Sequence, residues 1–252
     1  MNITTHKTEQ EIHDSVERYL QRHGYASFGP HAALIDMDGT LLDSMKWHTR
    51  AWHRMMSELG VECTRDEFYL YEGMTGAATI ALLIKRAFGR EATDEEKREL
   101  YARKTGYFNE YPRVETVPGA TRMVRCLMDH GITRVLVTGS GQPSNLARLD
   151  EDFPGGFPHD LRITSRDVKF GKPHPEPYLK AMTLAKAEPW ECIVIENAPL
   201  GVEAGAKAGA FTIAVTTGPV PPEELRKAGA DMVFPSMEQL ADTLPLILKD
   251  RR

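Results

Sequence analysis

The chain has little cysteine. Cys63, Cys126 and Cys192 are the only three in 252 residues, and they stand far apart among helix- or strand-like neighbours. That distribution argues against a disulfide framework or a thiolate metal cluster, and reduced thiols of a cytoplasmic protein are the expectation. Long hydrophobic runs are also missing. No apolar stretch approaches the roughly 20 residues of a membrane span, and the N-terminus is polar and charged, without the apolar core of a signal peptide. Nor is there a large excess of one charge. Lys and Arg number 31 against 36 Asp and Glu, a formal net charge of −5, which suggests neither a nucleic-acid partner nor an anionic membrane. What remains is an ordinary globular composition, 41% apolar and 27% charged. A chain of this length builds one large domain, or a core with an insert.

Short apolar runs at 32–37, 134–137, 161–164, 192–195, 211–215 and 232–234 read as strands. Helical patterns lie between most of them, around 119–130, 143–151, 175–186, 200–208 and 221–228. Strands alternating with helices predict an α/β fold with a parallel sheet covered on both faces. A helix is expected over 9–23, with Ile12, Val16, Tyr19 and Leu20 on one side. It would form an N-terminal helical extension within residues 1–30, packed on the core. The stretch from 45 to 113 breaks the alternation. It has no convincing strand and several helix patterns in succession, so it reads as a helical insert after the first strand. The core then comprises 31–44 and 114–252.

The first strand delivers two acids, Asp36 and Asp38, into a Gly39-Thr40 turn. Residues two apart on an extended segment point the same way. A nucleophile and a proton donor could therefore flank one reacting phosphorus. A calcium loop beginning at Asp36 fails, because Thr40 and Trp47 occupy ligand positions. In a parallel α/β sheet, ligands bind beyond the carboxyl ends of the strands. The 134–137 strand ends in Thr138-Gly139-Ser140-Gly141, whose hydroxyls and N–H groups suit phosphate oxygens. Lys172, ahead of a proline, could neutralise nucleophile and phosphoryl group. Glu196-Asn197 closes the 192–195 strand with oxygen ligands suited to Mg²⁺. Singly, each has a bland alternative: a turn, a generic loop, a surface lysine, a helix cap.

Asp36-Met37-Asp38-Gly39-Thr40, Thr138-Gly139-Ser140, Lys172 and Glu196-Asn197 resemble, in order, the four motifs of the haloacid dehalogenase (HAD) superfamily. The resemblance implies a Rossmann-like core with a C1-type cap in the insert. It implies that Asp36 is the nucleophile and Asp38 the general acid/base, with Thr138 and Lys172 stabilising an aspartyl-phosphate. It further implies Mg²⁺ held by Asp36, the Asp38 backbone carbonyl and Asn197, with Glu196 nearby. The last motif usually ends in Asp, and Asn197 departs from it.

The cap stretch Trp47-His48-Thr49-Arg50-Ala51-Trp52 resembles β-phosphoglucomutases. Where those carry Lys-Gly-Val-Ser-Arg, this chain has Glu72-Gly73-Met74-Thr75-Gly76, so two cations are gone and an acid has appeared. Glu72 would repel a second phosphate unless a cation bridged them. Shared Mg²⁺ would solve this and replace the carboxylate missing at Asn197. On that ground the expected substrate is inorganic pyrophosphate, gripped by His48 and Lys104, and the resemblance points to a HAD-type inorganic pyrophosphatase. The alternatives are a β-phosphoglucomutase or sugar-phosphate phosphatase and, in a different class, a non-catalytic phosphate-binding protein.

Overall fold

The computed structural model describes residues 7–250. Residues 1–6 of the expected N-terminal extension lie outside the described part. Six strands, β1 (Ala32–Ile35), β2 (Thr133–Val137), β3 (Arg162–Ile163), β4 (Cys192–Glu196), β5 (Phe211–Val215) and β6 (Met232–Phe234), form one sheet. Their spatial order is β3-β2-β1-β4-β5-β6 and every pairing is parallel. The chain starts in the middle, builds outward to β3, then crosses to β4. In such sheets ligands settle beyond the strand ends where the order reverses. The register fixes what meets there. Ile35 lies opposite Leu136 on one side and Ile195 on the other. Asp36, Val137 and Glu196 therefore leave three adjacent strands at one level.

Alternation along β1 divides the core in two. Ala33 and Ile35 pack with α6 (Ala120–Asp129) and α11 (Met237–Lys249), through Met123, Leu127, Leu240 and Leu244. Ala32 and Leu34 pack with α8 (Glu176–Ala185) and α9 (Pro199–Lys207), through Tyr178, Ala181 and Ala204. The remaining core helices are α7 (Pro143–Asp152) and α10 (Pro222–Lys227). Helix α11 was not expected from sequence. Its inward positions are apolar, but Pro245 interrupts the helical pattern.

Helix α1 (Glu9–His23) forms where expected, opened by a Thr8–Glu11 capping box and closed by Gly24 at φ 68°. Its Tyr19 is fully buried. The hydroxyl donates to the Gly209 carbonyl at 2.9 Å, and the ring meets Phe211 edge-on at 5.3 Å. Arg22 also pairs with Asp231.

Between β1 and β2 stand four helices: α2 (Met45–Glu58), α3 (Glu67–Leu70), α4 (Gly76–Phe88) and α5 (Asp94–Asn109). They have their own core, including Met55, Ile80, Leu83 and Leu100. The two connections to the sheet run side by side. The Val117 N–H donates to Leu41 O at 2.9 Å and the Asp43 N–H to Glu115 O at 2.8 Å. The insert sits close over the strand ends. A Cβ at Gly139 would lie 2.7 Å from the carbonyl oxygens of Gly73 and Met74, so only glycine permits this approach. Among the described residues, no helix is long and apolar enough to cross a membrane.

The packing of α1 predicts that Tyr19→Ala lowers folding stability by about 3–5 kcal/mol, measured by urea unfolding. A loss under about 1 kcal/mol would show that α1 is a detachable addition.

Candidate active site

Asp36, Lys172 and Glu196 meet in the buried interior at the ends of β1 and β4. The Lys172 ammonium donates to Asp36 Oδ1 and Glu196 Oε1, both at 2.6 Å, and to the Val137 carbonyl at 3.0 Å. Burial works against the ammonium, but the two carboxylates outweigh it and hold Lys172 charged. Burial pushes the Asp36 carboxyl up, with Glu196 adding to the effect and Lys172 opposing it. Glu196 has no spare oxygen. Oε1 also accepts from the Tyr178 hydroxyl at 2.7 Å, and Oε2 accepts from the Asn197 and Ala198 N–H groups at 3.0 and 3.3 Å. Glu196, expected beside the metal, is thus committed to orienting Lys172.

Asp38 has a different setting. Its Oδ1 accepts from Ser44 Oγ at 2.6 Å and faces His48 Nε2 at 3.0 Å and Asn145 Nδ2 at 3.5 Å. Burial opposes ionisation, but His48, Ser44 and Lys104 outweigh it and place the carboxyl below its usual range. Lys104 reaches His48 Nδ1 at 2.6 Å, and Phe108 stacks on the imidazole at 4.1 Å. Lys104 is 2% exposed, so it does not snorkel to solvent. Burial lowers it to about 7, with Asp38 pulling the other way. The same burial, then Lys104, lowers His48.

On the opposite side, Asn197 Oδ1 accepts from Thr40 Oγ1 at 3.0 Å and its Nδ2 donates to Glu72 Oε1 at 2.8 Å. The Glu72 carboxyl is pushed well up, first by burial and then by Asp36, Glu196 and Asp38. Gly39, at φ +81°, lies under this pair, and a Cβ there would come within 2.1 Å of Asn197 Nδ2 and 2.5 Å of Glu72 Oε1. Among the described residues, no three His, Cys, Asp or Glu side chains form a metal cage. Asp36, Asp38 and Glu72 line one cavity and Asn197 hydrogen-bonds to Glu72 beside it, so the donors at hand are few, hard carboxylate and amide oxygens. That donor set fits Mg²⁺, which keeps several waters and shares substrate oxygens.

These groups enclose a cavity of about 60 Å³, between the strand ends and the insert. Asp36, Asp38, Thr138, Gly139 and Ser140 form its floor, while His48, Glu72 and Lys104 come from the insert. The side-chain oxygen of Thr138 accepts from the Ser140 N–H at 3.0 Å, which leaves its O–H free to donate into the cavity. Gly141 does not line it; its N–H faces the Tyr101 hydroxyl at 3.4 Å instead. Trp52, Tyr71 and Tyr101 give the insert side an aromatic wall. Sequence reasoning missed Thr40, Ser44, Gln142, Asn145 and Tyr178. All are polar residues on helices or turns, where only the folded register shows them facing inward.

Residues 30–209 match the family model described as a haloacid dehalogenase-like hydrolase. Hexitol phosphatase A of Escherichia coli is 31% identical over 83% of this chain and 93% of that protein. The 2-deoxyglucose-6-phosphate phosphatase 1 of Saccharomyces cerevisiae is 29% identical over 86% of this chain and 92% of its own length. A Bacteroides vulgatus structure provisionally described as a beta-phosphoglucomutase superposes with a TM-score of 0.92 at 43% identity, covering 96% of this chain and all of that one. The strand order, the insert and these matches agree: the chain belongs to the haloacid dehalogenase-like hydrolases.

Proposed function

We propose that the protein is a Mg²⁺-dependent phosphatase that hydrolyses a small sugar or polyol phosphate through an aspartyl-phosphate on Asp36. The cation inventory of the cavity carries the substrate assignment. Among the described residues, Lys104 is its only lining ammonium and no arginine lines it, against the carboxylates Asp36, Asp38 and Glu72. A single phosphate is matched by Lys172 behind Asp36. A second phosphate, whether of pyrophosphate or of a bisphosphate intermediate of a mutase, would have only Lys104. The aromatic wall also suits the C–H faces of a carbohydrate, and the relatives named above are called phosphatases of hexitols and a deoxyhexose phosphate. These considerations replace pyrophosphate, expected from the Glu72 exchange, as the leading substrate.

Lys172 engages Asp36 Oδ1, so the other oxygen attacks phosphorus while the bond to the leaving oxygen breaks. Asp38 enters the step with a proton on Oδ2, the oxygen opposite the one held by Ser44 and His48, and gives it to the leaving oxygen. Asp38 then accepts a proton from water as the water oxygen bonds to phosphorus, and the Asp36 carboxylate departs. Thr138 and Lys172 offset charge on the phosphoryl oxygens. Asp36, the Asp38 carbonyl, Asn197 and Glu72 would hold Mg²⁺, which supplies charge neutralisation at the phosphate. The cavity of about 60 Å³ is well below the roughly 300 Å³ where small-molecule sites begin. The insert therefore acts as a cap that opens for substrate and closes to exclude water.

One observation favours a second reading. Glu72 meets Asn197 across the cap, and a divalent ion bridging them would make room for the second phosphate of pyrophosphate. Phosphate release from hexose phosphates, hexitol phosphates, β-glucose 1-phosphate and pyrophosphate, with Mg²⁺, separates the readings. The highest kcat/KM is expected for a sugar or polyol phosphate, with no isomerised sugar phosphate formed. A higher value for pyrophosphate, lost selectively in Glu72→Ala, would establish the second reading. Net conversion to glucose 6-phosphate would establish a mutase.

Lys104 carries a further expectation. Its folded value of about 7 lies below the ordinary 10.5, so the unfolded chain binds more protons between those values and stability falls as pH drops through that window. Lys104→Met removes this cost. Unfolding experiments should show a gain of a few kcal/mol at pH 7 that fades toward pH 10.5, together with reduced activity. Equal stability of variant and parent at pH 7 would contradict the buried-charge account.

A further inference from the structure

The general acid assigned above is held from two directions, by His48 and by Asn145. Asn145 sits on α7, 3% exposed, one turn before the buried Leu149. An apolar residue would serve packing at such a position, and asparagine is a poor helix former. Its amide nitrogen instead faces Asp38 Oδ1 at 3.5 Å, His48 Nε2 at 3.4 Å and Gln142 Oε1 at 3.4 Å.

The proton inventory reduces these contacts to two. With Lys104 donating to His48 Nδ1, the imidazole carries its proton on Nε2 and donates it to Asp38. Nε2 then cannot accept from Asn145. The two amide protons of Asn145 go to Asp38 and Gln142. Gln142, 1% exposed, donates in turn to Thr105 Oγ1 on α5 at 2.9 Å. Two chains therefore start from adjacent residues of one cap helix and converge on one carboxylate oxygen. Lys104 acts through His48, and Thr105 through Gln142 and Asn145. The contacts of Asn145 are long for hydrogen bonds, as contacts around reacting groups often are before substrate tightens them.

We infer that Asn145 is a positioning residue, which with Gln142 fixes the Asp38 carboxyl in its proton-donating orientation when the cap is seated through Thr105. The inference rests on the acid role given to Asp38 under the proposed function. Opening of the cap withdraws both Thr105 and His48, so Asp38 is oriented for proton transfer only over a closed site.

The test is leaving-group dependence. An alkyl phosphate needs a proton on its departing oxygen, whereas 4-nitrophenyl phosphate releases a stable anion without one. Asn145→Leu keeps the branched side-chain shape and removes the donor. In rapid-quench single turnovers it should lower the rate of Asp36 phosphorylation by the alkyl phosphate roughly tenfold or more, and by 4-nitrophenyl phosphate by less than about twofold, since general acid catalysis as a whole is worth about 10²–10⁴; the later attack of water uses Asp38 with either substrate and lies outside this readout. Asn145→Ser, which retains a donor, should recover part of the loss. Gln142→Leu should show the same asymmetry in weaker form and serves if Asn145→Leu does not fold. Equal losses on both substrates, or no loss on either, would overturn the positioning role. Asp38→Asn is the control: it should show the same asymmetry in the phosphorylation rate more strongly. If it does not, the acid assignment fails, and the inference with it.

Discussion

A lysine ammonium buried between two carboxylates organises this molecule. Lys172 is 1% exposed at its side chain, Asp36 6% and Glu196 1%. Removing three charges from water is costly, and only close pairing with satisfied hydrogen bonds makes it tolerable. The sheet supplies that pairing. Asp36 and Glu196 leave adjacent strands in register, and the Val137 carbonyl from the strand on the other side takes another ammonium proton. Tyr178 and two backbone N–H groups complete Glu196. Close packing maintains the arrangement: a Cβ on Gly201 would come within 1.8 Å of Glu196 Oε1. Asp36, the proposed nucleophile, is thus held by the same contacts that make its burial possible.

The second acid is governed by the insert. Asp38 is drawn below its usual range by groups of which His48 and Lys104 belong to the cap helices. Its neighbour Asp36 is pushed up. The two carboxylates, two residues apart, therefore sit in different surroundings, Asp36 against Lys172 and Asp38 against His48 and Ser44. The paired antiparallel connections around Leu41 and Val117 give the insert a narrow attachment, so its seating can change without disturbing the sheet.

Much of this was legible in the sequence because strand ends are legible. The runs at 211–215 and 232–234 coincide with β5 and β6, and the remaining strands differ by a residue or two at their ends. Once β1, β2 and β4 are placed, the level shared by Asp36, Val137 and Glu196, with Thr138 one residue beyond, follows from parallel register. The use of Glu196 did not follow. An acid beside Asn197 reads as a metal ligand, and only the folded chain shows Lys172 and Tyr178 on one of its oxygens and two backbone N–H groups on the other. Asn145 and Gln142 were invisible for a related reason: a polar residue in a helix signals solvent until the helix is oriented. The Glu72 exchange was read correctly as a loss of cations, but it does not name a substrate. The folded cavity adds the aromatic wall and the single ammonium, and these favour a carbohydrate phosphate.

The central claim is that the transferred phosphoryl group rests on Asp36 before water removes it. Rapid acid quenching during turnover of a radiolabelled phosphate ester, followed by peptide mapping, tests it directly. The account predicts a label on the peptide containing Asp36, released by hydroxylamine and absent in Asp36→Asn. Full turnover with no phosphorylated peptide at any quench time, or undiminished turnover by Asp36→Asn, would contradict it.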